Sequence, residues 1–214
     1  SSDGLVAHEL AHQWWGDVVT CKDWGELWLN ESFASYFDTL WAEEDRGADE
    51  ATWDRYNEAQ GYIGEDKTIR RSIVNYRYDS PMHMFDGHSY PKGSRVLHML
   101  RWELGDELFW RALNRYIQIN QFRVVETADL RTAIEEATGQ GMNWFFDQWL
   151  YKGGEPHYSV SWSKSAVQQG DNVVPSTRVD VDQIHQMDQL TGVFRMPVVV
   201  EVWYKDHTND RVRV

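Results

Sequence analysis

The amino-acid sequence predicts a mainly α-helical protein that continues into the start of a small antiparallel β domain. Up to about residue 153, apolar residues recur with the period of about 3.6 residues that is typical of amphipathic helices. After Pro156 the period becomes two, because apolar residues alternate with serines from 158 to 163. Gly153 and Gly154 stand between the two patterns. We therefore predict a helical region over residues 1–153 and a β domain over residues 154–214.

Residues that begin or end helices divide the first region into successive segments. A first helix over the initial residues is expected to carry Leu5, Val6 and Leu10 on its inward side. Aspartate before a helix, proline in a first turn and glycine after the last turn mark the later boundaries. On these signals the further helices are predicted over residues 24–44, 51–64, 91–104, 107–120, 128–138 and 143–152, with a loop at 87–90.

The last sixty or so residues are predicted to form strands, because their apolar residues alternate with polar ones. Strands are expected at 158–163, near 179–181 and near 198–202, with turns at 170–172 and 207–210. We expect this antiparallel domain to be incomplete at Val214.

The composition is that of a protein with a packed core, and it argues against one class of partner. Hydrophobic residues make up 42% of the 214 residues, including 12 Trp, 10 Tyr and 8 Phe, which suffices for a core. The net charge of −13 argues against nucleic acid, whose binding requires a basic face. No stretch is apolar enough to span a bilayer.

A metal site is predicted by His8, Glu9 and His12 in the pattern His-Glu-x-x-His, followed by Glu31 after eighteen intervening residues. On a helix, His8 and His12 share a face and can bind one ion. Glu31 completes three ligands, the number that a catalytic zinc takes while a fourth position serves water. Glu9 lies beside the metal, where its carboxylate can take a proton from that water. The alternative is two surface histidines on an amphipathic helix and a capping glutamate.

Further segments extend this pattern: Trp28-Leu29-Asn30-Glu31, Tyr90-Pro91-Lys92-Gly93, and Trp149 followed by Gly154-Glu155-Pro156. With the spacing of eighteen residues before Glu31, they resemble the M1 family of zinc aminopeptidases; thermolysin-type enzymes have a longer spacing. The resemblance runs from about residue 5 to residue 156. It implies a thermolysin-like helical catalytic region with one Zn²⁺ per chain, held by His8, His12 and Glu31.

The resemblance also implies a reaction, the hydrolysis of peptide substrates with release of their N-terminal residues. Zinc lowers the pKa of bound water to about 7 and polarises the scissile carbonyl, and Glu9 acts as the general base. Tyr90 is implied as a second donor to the oxyanion; the alternative is a loop tyrosine that packs on the core.

Asp38 shares the helical face of Glu31 two turns later. It could orient a metal-bound histidine, or be a plain surface or core-edge aspartate. His83, His88 and His98 are not needed as ligands.

One family feature has no counterpart in this sequence. The family's Gly-x-Met-Glu-Asn segment, which holds the free amino terminus of the substrate, lies upstream of the metal motif. This chain begins only seven residues before His8. We therefore expect a piece of a larger enzyme, with the missing N-terminal part of the same polypeptide as its main partner. We expect the isolated piece to be inactive.

Two other functions are compatible with the same motif. A zinc endopeptidase or an epoxide-opening relative would share the metal ligands and differ in how the substrate amine is held. A catalytically silent scaffold domain would be expected to lose a ligand or the base. Here all of these residues are retained.

Overall fold

The computed structural model describes residues 2–214. They fall into two units: the residues up to Glu155 together with Gln186–Gly192, and Pro156–His185 together with Val193–Val214. The first unit is mostly helical and the second contains antiparallel strands. The predicted mainly α-helical fold with antiparallel strands towards the C-terminal end is confirmed. The division into domains 1–153 and 154–214 stays a prediction, as does the incompleteness of the second.

The first unit contains α-helices, two short strands and three short turns of other helical types. The helices are α1 (Ser2–Ala11), α2 (Trp28–Arg46), α3 (Ala48–Asp66), α4 (Gly93–Leu104), α5 (Asp106–Asn120), α6 (Thr127–Thr138) and α7 (Asn143–Trp149). The strands β1 (Val19–Cys21) and β2 (Arg123–Val125) pair in parallel. Trp24–Glu26 and Pro81–Met84 form 3₁₀ turns, and His88–Lys92 forms a π-helical turn. Within residues 2–214, none of the helices combines the length and the apolar character needed to cross a membrane.

Three helix starts differ by two or more residues from the predicted ones. The third helix begins at Ala48 rather than at 51, and the other two differ for a local reason. The second helix begins at Trp28 rather than at 24, because Asp23 caps the preceding 3₁₀ turn by accepting a hydrogen bond from the N–H of Gly25 at 2.8 Å. The helix expected from Pro91 begins at Gly93, because Pro91 belongs to the π-helical turn. Both departures lie next to the functional residues described below.

Helix α2 is the centre of the first unit, because α1, α3 and α4 all pack against it. Its side chains Trp28, Phe33 and Tyr36 are at most 1% exposed. The indole of Trp15 stacks on Phe33 with ring centroids 4.1 Å apart. Full burial of a side chain such as Phe33 contributes about 1.5–3 kcal/mol to the stability of the folded state. These aromatic residues therefore provide much of the hydrophobic stabilisation around α2.

Helix α1 buries a different face from the predicted one. Leu5, Val6 and Leu10 are 63%, 65% and 59% exposed, so the prediction that they face inward is wrong. The buried positions of α1 are Gly4 and Ala11, which share one helical face with residue 8. This face carries small and functional residues instead of large apolar ones, so hydrophobic periodicity does not reveal it.

A buried carboxylate links three segments that are distant in sequence. Glu26 accepts hydrogen bonds from the N–H and the hydroxyl of Thr127 at 3.1 and 2.5 Å, and another from the hydroxyl of Tyr76. The hydroxyl of Thr127 also accepts a hydrogen bond from the indole N–H of Trp28 at 2.8 Å. Burial raises the pKa of Glu26, while these hydrogen bonds oppose the rise. The starts of α2 and α6 are thereby tied together.

The second unit contains two antiparallel hairpins. Strands β3 (Tyr158–Gln169) and β4 (Asn172–Gln183) form the first, and β5 (Val199–Trp203) and β6 (Asn209–Arg213) form the second. Gly170 turns the first hairpin with a φ of +60°, a conformation that glycine adopts without steric cost. The strands predicted at 158–163 and near 179–181 lie opposite each other within the first hairpin.

We predict that Thr127→Val destabilises the chain, because it removes a donor to Glu26 and the acceptor of the Trp28 indole N–H. Buried groups that lose such partners cost about 1–3 kcal/mol each. Urea denaturation of the 214-residue chain measures the change in the free energy of unfolding. The control is Thr52→Val, whose exposed hydroxyl donates to the Ala48 carbonyl and whose loss should change stability by at most about 0.5 kcal/mol. Equal destabilisation by both variants would contradict the assigned role.

Candidate metal centre

Three side chains that could bind a metal ion meet between α1 and α2. His8 lies in the last turn of α1 and His12 directly follows the end of that helix; the Nε2 atom of each is 3.3 Å from Oε2 of Glu31. Glu31 lies in the first turn of α2. The ligand atoms of these residues all lie within 4.8 Å of one another, and no other group of three such residues meets that condition among residues 2–214. The structure therefore brings the three predicted ligands together.

The spacing of these atoms fits a tetrahedral zinc ion. Bonds of about 2.0–2.1 Å at the tetrahedral angle separate neighbouring ligand atoms by about 3.3–3.4 Å. The two distances from imidazole nitrogen to carboxylate oxygen have this value. Two imidazoles and one carboxylate are also a donor set that catalytic zinc takes. Distances and donor chemistry therefore agree on the same ion.

The ring of His12 is oriented by a main-chain carbonyl. In the tautomer that presents Nε2 to a metal, Nδ1 donates a hydrogen bond to the carbonyl oxygen of Trp15 at 3.0 Å. The Trp15 side chain is 3% exposed and packed on Phe33, so the core fixes this acceptor. A side chain at Gly16 would approach the carbonyl oxygen of His12 to 3.1 Å. A main-chain acceptor leaves no signal in a sequence pattern, and sequence reasoning missed this one.

The ligands are strongly coupled electrostatically. A hydrogen bond with Glu31 raises the pKa of His12 to about 9, although burial opposes the rise. Burial would raise the pKa of Glu31, but hydrogen bonds with His12 and His8 lower it to about 2. Glu31 is therefore ionised at neutral pH, and a divalent cation at this site competes with a proton for His12.

Glu9 and Tyr90 lie around the three ligands, where a substrate could contact both. Glu9 follows His8 on α1 and is exposed, and its charge raises the pKa of both His12 and Tyr90. The Tyr90 ring stacks on the His8 ring with centroids 6.1 Å apart and an interplanar angle of 10°. Burial and then the charge of Glu31 raise the pKa of Tyr90. The phenol is therefore a neutral donor.

Asp38 lies on α2, seven residues after Glu31, beside the N-terminal part of α1. Its carboxylate is packed against Gly4, where a Cβ atom would lie 2.8 Å from Oδ1. Burial raises the pKa of Asp38, and the charge of His8 opposes this. The electrostatic coupling is with His8, whereas the acceptor for His12 is Trp15. That Asp38 orients a histidine stays a prediction.

Tyr90 lies close to the ligands because its π-helical turn is hydrogen-bonded to α2. The hydroxyl of Ser32, the residue after Glu31, donates a hydrogen bond to the carbonyl oxygen of Ser89 at 2.6 Å. Gly93, at the start of α4, allows this close approach, since a Cβ atom there would lie 1.8 Å from Oγ of Ser32. Ser32 is a contact that sequence reasoning missed; its position beside a ligand is the only local signal.

The three remaining histidines of the first unit have other surroundings. His88 is fully buried, with Nε2 3.1 Å from Oδ1 of Asp66. The Nδ1 atom of His98 lies 3.4 Å from the hydroxyl of Tyr36, and burial lowers the pKa of His98 to about 4. His83 is exposed. None of the three belongs to the ligand group.

Comparison with protein families and characterised relatives gives a consistent result. The model described as Peptidase family M1 domain matches residues 1–149. Aminopeptidase N of Lactococcus lactis subsp. lactis is 37% identical over 166 residues, which are 73% of this chain and 19% of that protein. Glutamyl aminopeptidase of Homo sapiens is 34% identical over 174 residues, 77% of this chain and 18% of that protein. The chain spans about a fifth of the length of these relatives.

Solved structures similar to this chain include zinc peptidases. The M1 zinc metallopeptidase of Deinococcus radiodurans is 30% identical with a TM-score of 0.60, covering 72% of this chain and 34% of that one. A mutant of that enzyme, bound to a Tyr-Ser-Ala substrate, has a TM-score of 0.59 at 31% identity, over 70% of this chain and 33% of its own. Legionella pneumophila aminopeptidase A covers 99% of this chain with 23% of its own, at a TM-score of 0.73 and 19% identity, a likeness of fold.

We predict that Gly93→Ala destabilises the chain, because its methyl group would collide with buried Ser32 and push the π-helical turn away from α2. Overpacking of this kind typically costs about 1–3 kcal/mol, measured as a change in the free energy of unfolding. Gly61→Ala is the matched control, since Gly61 lies in α3 with open space around it. The Gly61→Ala substitution should raise the free energy of unfolding by about 0.5–1 kcal/mol. An unchanged stability of Gly93→Ala would argue against the close contact.

Proposed function

Because the chain belongs to peptidase family M1, we propose that it is the zinc-binding part of an aminopeptidase, an enzyme that releases N-terminal residues from peptides. The relatives named aminopeptidase N and glutamyl aminopeptidase support this reaction. The Deinococcus radiodurans structure with a Tyr-Ser-Ala substrate supports peptides as substrates. The observation that carries the proposal is the convergence of His8 and His12 on one oxygen of Glu31, 3.3 Å from each.

In the proposed site, His8, His12 and Glu31 hold one zinc ion. The bound ion would supply Lewis-acid chemistry, lowering the pKa of a water molecule to about 7 and polarising the scissile carbonyl. The carboxylate of Glu31 supplies the negative charge of the site. The carbonyl of Trp15 keeps the Nε2 atom of His12 directed at the ion, through the hydrogen bond to Nδ1.

Glu9 is proposed as the general base. Its carboxylate takes the proton of the attacking water and then delivers it to the nitrogen of the leaving amine. Its position next to His8 and its electrostatic coupling to His12 and Tyr90 support this role.

Tyr90 is proposed as the second donor to the scissile carbonyl. Its hydroxyl would donate a hydrogen bond to the carbonyl oxygen as negative charge develops there. A raised pKa keeps the phenol protonated for this task. Its stacking on His8 and its electrostatic coupling to Glu31 support a position beside the reacting atoms.

The substrate amine is proposed to be held by polypeptide outside these 214 residues. The chain covers only 19% of its Lactococcus lactis relative, so most residues of a whole enzyme of that size would lie elsewhere. We propose that the preceding part of the same polypeptide is the partner that supplies the amine-binding residues. We also propose residues 1–153 and 154–214 as separate domains, and Asp38 as a residue that helps to orient His8.

We predict that the 214-residue chain binds about one zinc ion, because three ligands form a complete catalytic set. Plasma mass spectrometry after dialysis measures the zinc content. Glu9→Gln should keep the ion, since Glu9 is not a ligand, and His12→Ala should lose most of it. His83→Ala is the control, because His83 is exposed and outside the ligand group. Full zinc content in His12→Ala would contradict the proposed ligands.

For the full-length protein, we predict hydrolysis of peptides with a free amino terminus and no turnover of the same peptides after N-acetylation. Glu9→Gln should abolish turnover, and Tyr90→Phe should lower kcat by about 10²–10³-fold, the usual effect of losing one oxyanion donor. The 214-residue chain alone should be inactive. Chromatography of the released amino acids is the measurement. Internal cleavage of acetylated peptides would favour an endopeptidase, and zinc binding without turnover would favour a silent scaffold.

A further inference from the structure

The turn that carries Tyr90 is bonded along its main chain to one buried residue, Asp86. The Asp86 side chain is 7% exposed. Its Oδ1 atom accepts hydrogen bonds from the N–H groups of His88 and Ser89 at 3.0 and 3.3 Å. Its main-chain carbonyl accepts a hydrogen bond from the N–H of Tyr90 at 3.2 Å. The N–H groups of three successive residues of the turn are therefore bonded to Asp86.

Arg71 fixes the Asp86 carboxylate in one orientation. Its Nε and Nη2 atoms donate to the two carboxylate oxygens at 2.8 and 2.5 Å, a bidentate pair that adds geometric specificity. The remaining guanidinium nitrogen, Nη1, donates to the carbonyl oxygens of Ser72 and Ile73 at 2.8 Å each. Arg71 is 8% exposed. The pair is therefore buried and anchored to a chain segment outside the turn.

Ser89, the residue before Tyr90, is held on two sides. The Nη2 atom of Arg71 donates to its hydroxyl at 2.9 Å, and the hydroxyl of Ser32 donates to its carbonyl at 2.6 Å.

Burial works against an ionised Asp86, but His88 and Arg71 hold the pKa of this carboxyl well below its usual range. The carboxylate thus remains an acceptor for the turn at all moderate pH values.

We propose that Asp86, fixed by Arg71, is a positioning residue for Tyr90. Its hydrogen bonds set the π-helical turn so that the phenol hydroxyl lies beside Glu31 and the reacting carbonyl. This inference rests on the proposed peptidase function, because it assigns Asp86 an effect on catalysis through Tyr90. A displacement of about 1 Å at a reacting group can cost on the order of 10²-fold in rate, so loosening the turn should be measurable.

A double-mutant cycle on the zinc-loaded full-length protein tests the proposal. Asp86→Asn should lower kcat by about 10- to 100-fold, while KM and zinc content stay within about twofold of wild type. In a Tyr90→Phe background, the same change should lower kcat by less than about threefold, because residues acting through one group are not additive. A full further loss in that background, an unchanged kcat of Asp86→Asn, or loss of zinc would each overturn the proposal.

The matched control is Asp106→Asn. Asp106 forms a bidentate pair with Arg101, with donor–acceptor distances of 2.7 and 2.8 Å, but its side chain is 68% exposed. The Asp106→Asn substitution should leave kcat, KM and zinc content unchanged.

Arg71→Lys is the second variant if Asp86→Asn does not fold, since lysine keeps the charge and loses the bidentate geometry. It should lower kcat in the same way, and a normal kcat would count against the proposal.

Hydrogen exchange provides a readout that does not depend on turnover. In Asp86→Asn, amides in a peptide over residues 86–93 should exchange at least about tenfold faster, as expected when local opening becomes easier, while residues 4–12 of α1 keep their rate. If wild type binds zinc but shows no turnover, the proposed function fails, and exchange alone decides whether Asp86 holds the turn. Unchanged exchange over 86–93 would overturn the inference in either case.

Discussion

Two imidazole nitrogens and one carboxylate oxygen meet in this molecule only because α1 and α2 pack closely through small side chains. Gly4 and Ala11 are buried on α1, and a Cβ atom at Gly4 would lie 2.8 Å from Oδ1 of Asp38 on α2. Larger side chains there would move the helix axes apart within the usual range of about 8–10 Å. His8 and His12, one turn apart, would then not both lie 3.3 Å from the same oxygen of Glu31. The geometry of these three candidate ligands is thus first a consequence of helix packing and only then of their own chemistry.

The same packing joins the hydrophobic core to the ligands. Trp15 is buried against Phe33 of α2, and its carbonyl accepts the hydrogen bond that orients His12. A ring this large has few alternative positions in a close-packed interior, so the carbonyl direction is set by the core. Rotation of His12 away from Glu31 would break this hydrogen bond and leave the Trp15 carbonyl without it. The packing of Trp15 in the core and the orientation of His12 are therefore linked through one residue.

Much of this could be predicted from the sequence, and the rest has identifiable physical reasons for being missed. The spacing of His8, His12 and Glu31 predicts the ligand group, because positions within one helix are a local property. Tyr90 was found only through its family resemblance, since no spacing connects a residue on an irregular turn to a distant helix. The inward face of α1 differs from the predicted one because it carries small side chains and a candidate metal ligand instead of large apolar residues. The Arg71–Asp86 pair, fifteen residues apart, lies in a segment without any period and left no signal.

Helix α2 presents consecutive residues to two different parts of the site, and this explains why the turn and the ligands can stay in register. Glu31 faces the histidines, while Ser32 holds the carbonyl of Ser89. Any shift of α2 therefore moves the Glu31 carboxylate together with the turn that carries Tyr90, so the distance between Glu31 and Tyr90 is preserved. A phenol carried by an independent loop would need its own ordering each time a substrate bound, at a cost in conformational entropy. A turn anchored beside the ligand, and fixed again by Asp86, has that order before substrate arrives, which is the preorganisation that electrostatic catalysis requires.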